Sequence, residues 1–177
     1  MQIVMFTKML KNKGNLSLEE AGNYMARLGF DGADLTVREG GYVLPENVSE
    51  DLPEAVEILN SKGLEIPMIT TNVTDVEKGN AEEIFKTASE CGIRFIKLGY
   101  WTYEGFGKLR MQIKETRRKL DGIYQLSMKY GVTSTVHTHA GYYLTGNPLL
   151  LYMLLEGYDP EWLGAYIDPG HMFAETG

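Results

Sequence analysis

A glycine placed to end a helix, followed within a few residues by an apolar run of β type, recurs at Gly29, Gly63, Gly92, Gly131 and Gly157. The spacings are 34, 29, 39 and 26 residues. Glycine enters the left-handed conformation that closes a helix without steric cost, so each position reads as a helix stop leading into a strand. A chain that alternates strand and helix at this period is built of β/α units. Right-handed crossovers then lay the successive strands parallel in one sheet.

The segments between the glycines fit this reading. Ser17-Leu-Glu-Glu20 is a capping box, with Leu18, Ala21, Met25 and Leu28 following at helical spacing. Asn80 and Glu83 repeat that arrangement ahead of Ile84, Phe85 and Ala88. The longest predicted helix, roughly Lys108–Tyr130, carries Leu109, Ile113, Thr116, Leu120, Ile123, Ser127 and Tyr130 along one face. The predicted strands are about Ile3–Thr7, Ala33–Val37, Glu65–Thr70, Phe95–Gly99, Thr133–Thr138 and Gly164–Ile167. Several are near-continuous apolar runs, as suits parallel strands covered on both faces. Six strands and five helices follow one another without a Pro-, Gly- or Ser-rich linker, which makes residues 1–177 one domain.

An open doubly wound sheet and a TIM (β/α) barrel both use such units. Phe6-Thr-Lys-Met9, just past the first strand, has no glycine-rich phosphate loop. Polar residues also recur after every strand rather than at one switch point, which favours the α/β barrel. A whole barrel takes about 250 residues, and the sequence has 177. The expectation is an incomplete barrel of six strands out of eight, truncated after strand six and ending in the loop that leaves it. The open edges of such a sheet invite pairing, so a homo-oligomer, or a partial barrel completed by a partner chain, is expected.

Composition removes several function classes. Seventeen basic against 24 acidic residues give a net charge of −7, which disfavours nucleic acid and anionic membrane surfaces as partners. No apolar run reaches the ~18 residues of a membrane span, and no cleavage-site pattern follows Met1–Leu10. Cys91 is the single cysteine, so neither an internal disulfide nor a cysteine zinc site is available. A cytoplasmic protein is the expectation.

In a barrel the loops after the strands open on one face, where catalysis is built. Read together, the residues there include Thr7 and Lys8, Arg38 and Glu39, Thr70 to Asn72, Tyr100 and Trp101, His137 and His139, and Asp168 and His171. All three histidines of the chain fall after the last two strands. His137 and His139 stand at i and i+2 on one strand face, and Asp168-Pro-Gly-His171 adds a carboxylate and a third imidazole. Such a set suits Mn²⁺, Fe²⁺, Co²⁺ or Zn²⁺, and equally suits general acid–base work near neutral pH. The plainer alternative is a set of hydrogen-bonded barrel histidines and an Asp-Pro-Gly turn. Arg110, Lys114, Arg117, Arg118 and Lys119 read as the solvated outer face of the long helix. Tyr142–Pro148 reads as a loop able to cover the site, with Pro148 in a first helical turn.

The same residues resemble the xylose-isomerase-like barrel superfamily of sugar-phosphate isomerases and epimerases. Leu28-Gly-Phe-Asp-Gly-Ala-Asp-Leu35 looks like that family's first helix running into strand two. Val136-His-Thr-His-Ala-Gly141 resembles its His-x-His-x-Gly or Asn-His-x-Gly segment after strand five. Trp162-Leu-Gly-Ala-Tyr-Ile-Asp-Pro-Gly-His171 resembles its strand-six segment ending in Asp-x-Gly-His. The resemblance covers the whole chain and about the first two thirds of the family's barrel. It implies a divalent metal (Mn²⁺, Co²⁺, Zn²⁺ or Mg²⁺) held by Glu, Asp, His and Glu from successive strand ends. It also implies proton transfer next to the carbonyl of a sugar or sugar phosphate. Isomerisation or epimerisation is the expected reaction, with a keto-sugar dehydratase or lyase as the alternative. Asp168 matches the Asp ligand, while the preceding Glu ligand is not evident, since His137 or Tyr142 stands about where it would fall; Asp168 and His137 are the metal candidates. His171 matches a substrate-contacting histidine and His139 the second histidine of the strand-five segment, which makes them the catalytic candidates. The family's later His and Glu would fall beyond Gly177. Arg38, Asn72, Tyr100 and Trp101 are the substrate-binding candidates, with Tyr103 and Phe106 extending an apolar wall for a sugar ring. The superfamily's three-metal abasic-site endonucleases are disfavoured by the acidic balance.

Overall fold

The computed structural model describes residues 1–176. The chain runs β1 (Val4–Phe6), α1 (Lys8–Asn12), α2 (Leu18–Arg27), β2 (Gly32–Val37), α3 (Val48–Asn60), β3 (Glu65–Thr71) and α4 (Ala81–Glu90). It continues through β4 (Phe95–Lys97), α5 (Leu109–Tyr130), β5 (Thr133–His137), α6 (Pro148–Leu155), β6 (Leu163–Tyr166) and α7 (Pro169–Thr176). The six strands form one sheet in the order β1-β2-β3-β4-β5-β6, and every pairing is parallel. Among the described residues β1 and β6 are each paired on one side only. No helix there is long and apolar enough to cross a membrane.

The helix stops are where the repeat puts them. Gly29, Gly63, Gly92, Gly131 and Gly157 all have φ between +67° and +90°. Ser17 makes the complete capping box with Glu20, and Asn147 accepts the Leu149 N–H ahead of Pro148. The core lies between sheet and helices, where Leu35, Ile69, Ile96 and Val136 meet Met25, Leu52, Leu59, Phe85, Leu120 and Ile123. Each such side chain contributes about 1.5–3 kcal/mol by leaving water. Gly32 lies where the register of β2 against β3 shifts. A Cβ there would come within 2.3 Å of the Glu65 carbonyl oxygen, so only glycine lets the two strands approach this closely.

Several local expectations are corrected. Asn80 occupies the N-cap of α4 without a side-chain cap: its backbone is left-handed at φ +57°, its side chain makes no capping bond, and it donates instead to the Pro45 carbonyl. Leu28 is C-cap to α2 and 52% exposed, so it lies outside the buried face. The described residues hold seven α-helices rather than five, because α1 and α7 form where loops are expected. The segment leaving β6 is thus helical, and Asp168 accepts the His171 N–H at its start. Arg117 is not merely solvated. It donates to the carbonyls of Met153, Leu154 and Glu156, which closes the C-terminal end of α6.

Candidate active site at the C-terminal ends of the strands

The strands end around a cavity of about 530 Å³ lined by Phe6, Lys8, Asp34, Arg38, Thr70, Asn72, Lys97, Tyr100, His137, His139, Tyr143, Tyr166, Asp168 and His171. The structure therefore brings seven of the eight candidate site residues together. Trp101 is the exception. It is buried and faces a separate hollow shared with Thr102, Met111 and Lys119. Phe106 is 92% exposed and builds no wall. The aromatic lining comes instead from Tyr100, Tyr143 and Tyr166.

Two of the three imidazoles, His137 and His139, are held at defined nitrogens. His137 ends β5 opposite Tyr166 of β6, with the Tyr100 Oη 2.9 Å from its Nδ1 and Asp168 Oδ2 3.5 Å from its Nε2. Burial, reinforced by the nearby Lys97 charge, lowers the His137 pKa to about 4, against an opposing pull from Asp168. The ring is thus neutral near pH 7. Burial also raises the Tyr100 hydroxyl to about 12, which keeps it a donor. A carboxylate can only accept, so the network assigns the proton to Nε2 and leaves Nδ1 to accept from Tyr100. The Asp168 carboxyl is held below its ordinary value chiefly by the His171 N–H. His139 donates from Nδ1 to the Ala140 carbonyl at 2.7 Å, which leaves Nε2 as the nitrogen that faces other partners. The His139 and His171 rings stack at 3.9 Å, with 26° between their planes.

Donor types and donor arrangement disagree about a metal. Three imidazoles and a carboxylate suit a divalent cation. Yet no group of three His, Cys, Asp or Glu side chains among the described residues is placed to hold one. Among the described residues His137 and Asp168 are a pair without a third converging donor, and those residues do not fit the metal site that the resemblance implies.

Two site residues escape a reading confined to loops. Asp34 lies inside β2 at 4% exposure, and its carboxylate oxygens accept from Thr70 Oγ1 at 2.8 and 3.0 Å. Burial raises its pKa to about 7, opposed by Thr70, Lys97 and Arg38. Lys97 closes β4 at 2% exposure. Its pKa falls to about 7 through burial and the Arg38 charge, with Asp34 pulling the other way and Lys8 adding to the fall. The available signal is a lone charge within an apolar β run, at Ala33-Asp-Leu35 and Phe95-Ile-Lys-Leu98.

Neither a family model nor a curated protein matches the sequence. Solved structures do match. A 3-keto-D-glucoside 4-epimerase from E. coli aligns at TM-score 0.74 and 16% identity, over 99% of this chain and 71% of that one. A probable 3-DHS dehydratase from Bacillus anthracis aligns at TM-score 0.77 and 16% identity, over 99% of this chain and 65% of that one. An IOLI protein with a bound zinc atom aligns at TM-score 0.77 and 14% identity, over 100% of this chain and 66% of that one. The chain shares the α/β TIM-barrel fold of these structures and spans about two thirds of their length.

Proposed function

We propose that the chain carries an acid–base site for proton transfer next to the carbonyl of a sugar or sugar phosphate, the reaction of an isomerase or epimerase. The observation that carries this reading is the meeting of all three histidines with Asp168, Tyr100 and Arg38 in one cavity. His139, through Nε2, takes the proton from the carbon beside the carbonyl. His171, stacked on it and so on the same side of the ligand, returns a proton at the neighbouring carbon. Imidazole is the usual carrier for such transfers near neutral pH, worth about 10²–10⁴ in rate. His137 stays neutral and, before a ligand enters, holds the Tyr100 hydroxyl at its Nδ1. Arg38 faces the developing enediolate oxygen, while Asn72 and Tyr100 bind ligand hydroxyls. Asp168 caps α7 and holds His171 in place. The metal expected on Asp168 and His137 lacks a third donor among the described residues, so no step is routed through it. The likeness to a dehydratase fold keeps loss of a β-hydroxyl after the same proton abstraction as the second reading.

The test is solvent deuterium incorporation into D-fructose, D-tagatose and D-psicose followed by proton NMR, with and without added Mn²⁺ or Zn²⁺. Exchange at the carbon beside the carbonyl is the expected result, lowered at least about a hundredfold in His139→Gln. Asp168→Asn retains a good cap and separates folding from chemistry. Undiminished exchange in His139→Gln would overturn the role assignments, and a large loss in a folded Asp168→Asn would show that Asp168 does more than cap α7. Native mass spectrometry of the same sample reads the subunit number and any bound ion.

A further inference from the structure

The proton-transfer scheme makes no use of the Lys97 amine, which lines the same cavity. Its Nζ is buried and has no hydrogen-bond partner among the described residues. It lies 3.6 Å from the centroid of the Tyr100 ring, whose hydroxyl is tied to His137. An ammonium buried without acceptors is costly, so such groups point to a missing ligand or to a neutral amine. The Tyr100 ring face stabilises an ammonium there, but burial, the largest influence, favours the neutral form. Arg38 and Lys8 repel a positive charge at Nζ, and burial acts in the same direction against the single opposing charge of Asp34. A desolvated lysine beside other cations is the environment in which the amine becomes a nucleophile. The complementary partner is a carbonyl carbon.

We propose that Lys97 forms an imine with the carbonyl group of an aldose- or ketose-class ligand bound in this cavity. This rests on the carbonyl-ligand reading given above. A ligand hydroxyl that replaces Tyr100 on His137 Nδ1 frees the ring and opens the amine to the cavity. The nitrogen lone pair then forms the C–N bond while the carbonyl π pair moves to oxygen. Transfer of a proton from nitrogen to that oxygen gives the carbinolamine. Asp34, raised far enough by burial to hold a proton, supplies it to the leaving hydroxyl. Water departs, and an iminium remains next to the Asp34 carboxylate. Atoms and charge balance without an oxidant, reductant or further co-reactant. The iminium draws electrons from the adjacent carbon, which acidifies the C–H that His139 and His171 are placed to move.

The experiment is reductive trapping on the intact chain. The protein is incubated near pH 7 with D-fructose, or separately with D-glyceraldehyde, in sodium cyanoborohydride, and the adducts are mapped by peptide mass spectrometry. A lysine shifted to about 7 keeps about half of its amine neutral near pH 7, against fewer than about one in a thousand at an ordinary lysine. Adduct on Lys97 in at least about tenfold excess over exposed lysines such as Lys86 is therefore expected, and its loss in Lys97→Arg. Reductive methylation with formaldehyde on the unaltered protein reads the amine without any sugar site, and circular dichroism checks that Lys97→Arg is folded. If fructose quenches the Tyr and Trp fluorescence saturably yet leaves no adduct on Lys97, imine formation is refuted and the sugar site survives. If fructose does not bind but glyceraldehyde is trapped on Lys97, the amine's role holds and the sugar reading fails. If Lys97 resists fructose, glyceraldehyde and formaldehyde alike, the amine is inert and the proposal falls.

Discussion

Replacing His137 by Asn tests the electrostatics of the site through a quantity that needs no substrate. Asn keeps an acceptor within reach of the Tyr100 hydroxyl and removes the titrating ring. The His137 pKa drops from its ordinary 6.5 to about 4, with burial as the main cause and the Lys97 charge next. In the unfolded chain the ring takes up a proton near its ordinary value, while the folded protein refuses it until about pH 4. Between these values the unfolded state holds more protons, so the stability owed to a neutral His137 is complete above about pH 6.5 and is lost as the pH falls through about 4. A depression of this size is worth at most about 3 kcal/mol, and solvent screening at the half-open Asp168 side brings it to about 2 kcal/mol. Asp34 works in the opposite direction. Its carboxyl is raised from 3.8 to about 7, so its contribution is largest in acid and fades as the pH rises. The profile of the wild-type protein therefore understates His137, whereas the difference between wild type and His137→Asn cancels Asp34. Urea unfolding followed by circular dichroism from neutral pH down to about 4 should show the stability difference shrinking by about 2 kcal/mol. A difference that stays flat within about 0.5 kcal/mol over that range would mean that His137 is not held neutral, and the tautomer assignment would fall with it.

Gly32→Ala forces a Cβ to 2.3 Å from the Glu65 carbonyl and should cost about 3 kcal/mol in thermal or urea unfolding. Gly107→Ala, with nothing within 4 Å, is the matched control and should change little. Arg117→Met removes three hydrogen bonds to the last carbonyls of α6. A loss of about 1–2 kcal/mol follows, together with faster amide hydrogen exchange confined to α6.

The parts of the fold legible in the sequence are those governed by local physics. A left-handed residue after a helix is cheap only for glycine, so Gly29, Gly63, Gly92, Gly131 and Gly157 mark their helix ends whatever the tertiary context, and all five have positive φ. Ser17 and Glu20 satisfy each other across three residues, and Pro148 with Asn147 starts a helix by the same short-range logic. Asn80 and Glu83 present a similar pattern and fail. The Asn80 side chain is drawn away to the Pro45 carbonyl, 35 residues distant in sequence, a competitor that no local window contains. The bonding of Arg117 to the end of α6 is hidden for the same reason, since its acceptors lie at another helix.

The histidine side of the candidate site was legible because its members follow strand ends, where a parallel barrel has to place its working loops. The Asp34–Lys97 side was not, because those two lie within strands whose other residues read as ordinary apolar cover. A period of two decides which way each side chain points, and one residue of slippage would turn Lys97 away from the cavity. Register supplies what composition lacks: Lys97 stands opposite Thr70 on one side and Thr135 on the other, and Thr70 donates to Asp34. Three strands thus place a carboxylate, a hydroxyl and an amine around one space. Either charge alone in that layer would be a large destabilisation. Held together they partly offset one another, and burial drives both toward neutrality, with each pKa moved to about 7. A carboxylic acid and a free amine near neutral pH are the two forms that water normally forbids to Asp and Lys together. Their placement beneath the histidines is what gives this cavity a chemistry beyond the movement of a proton.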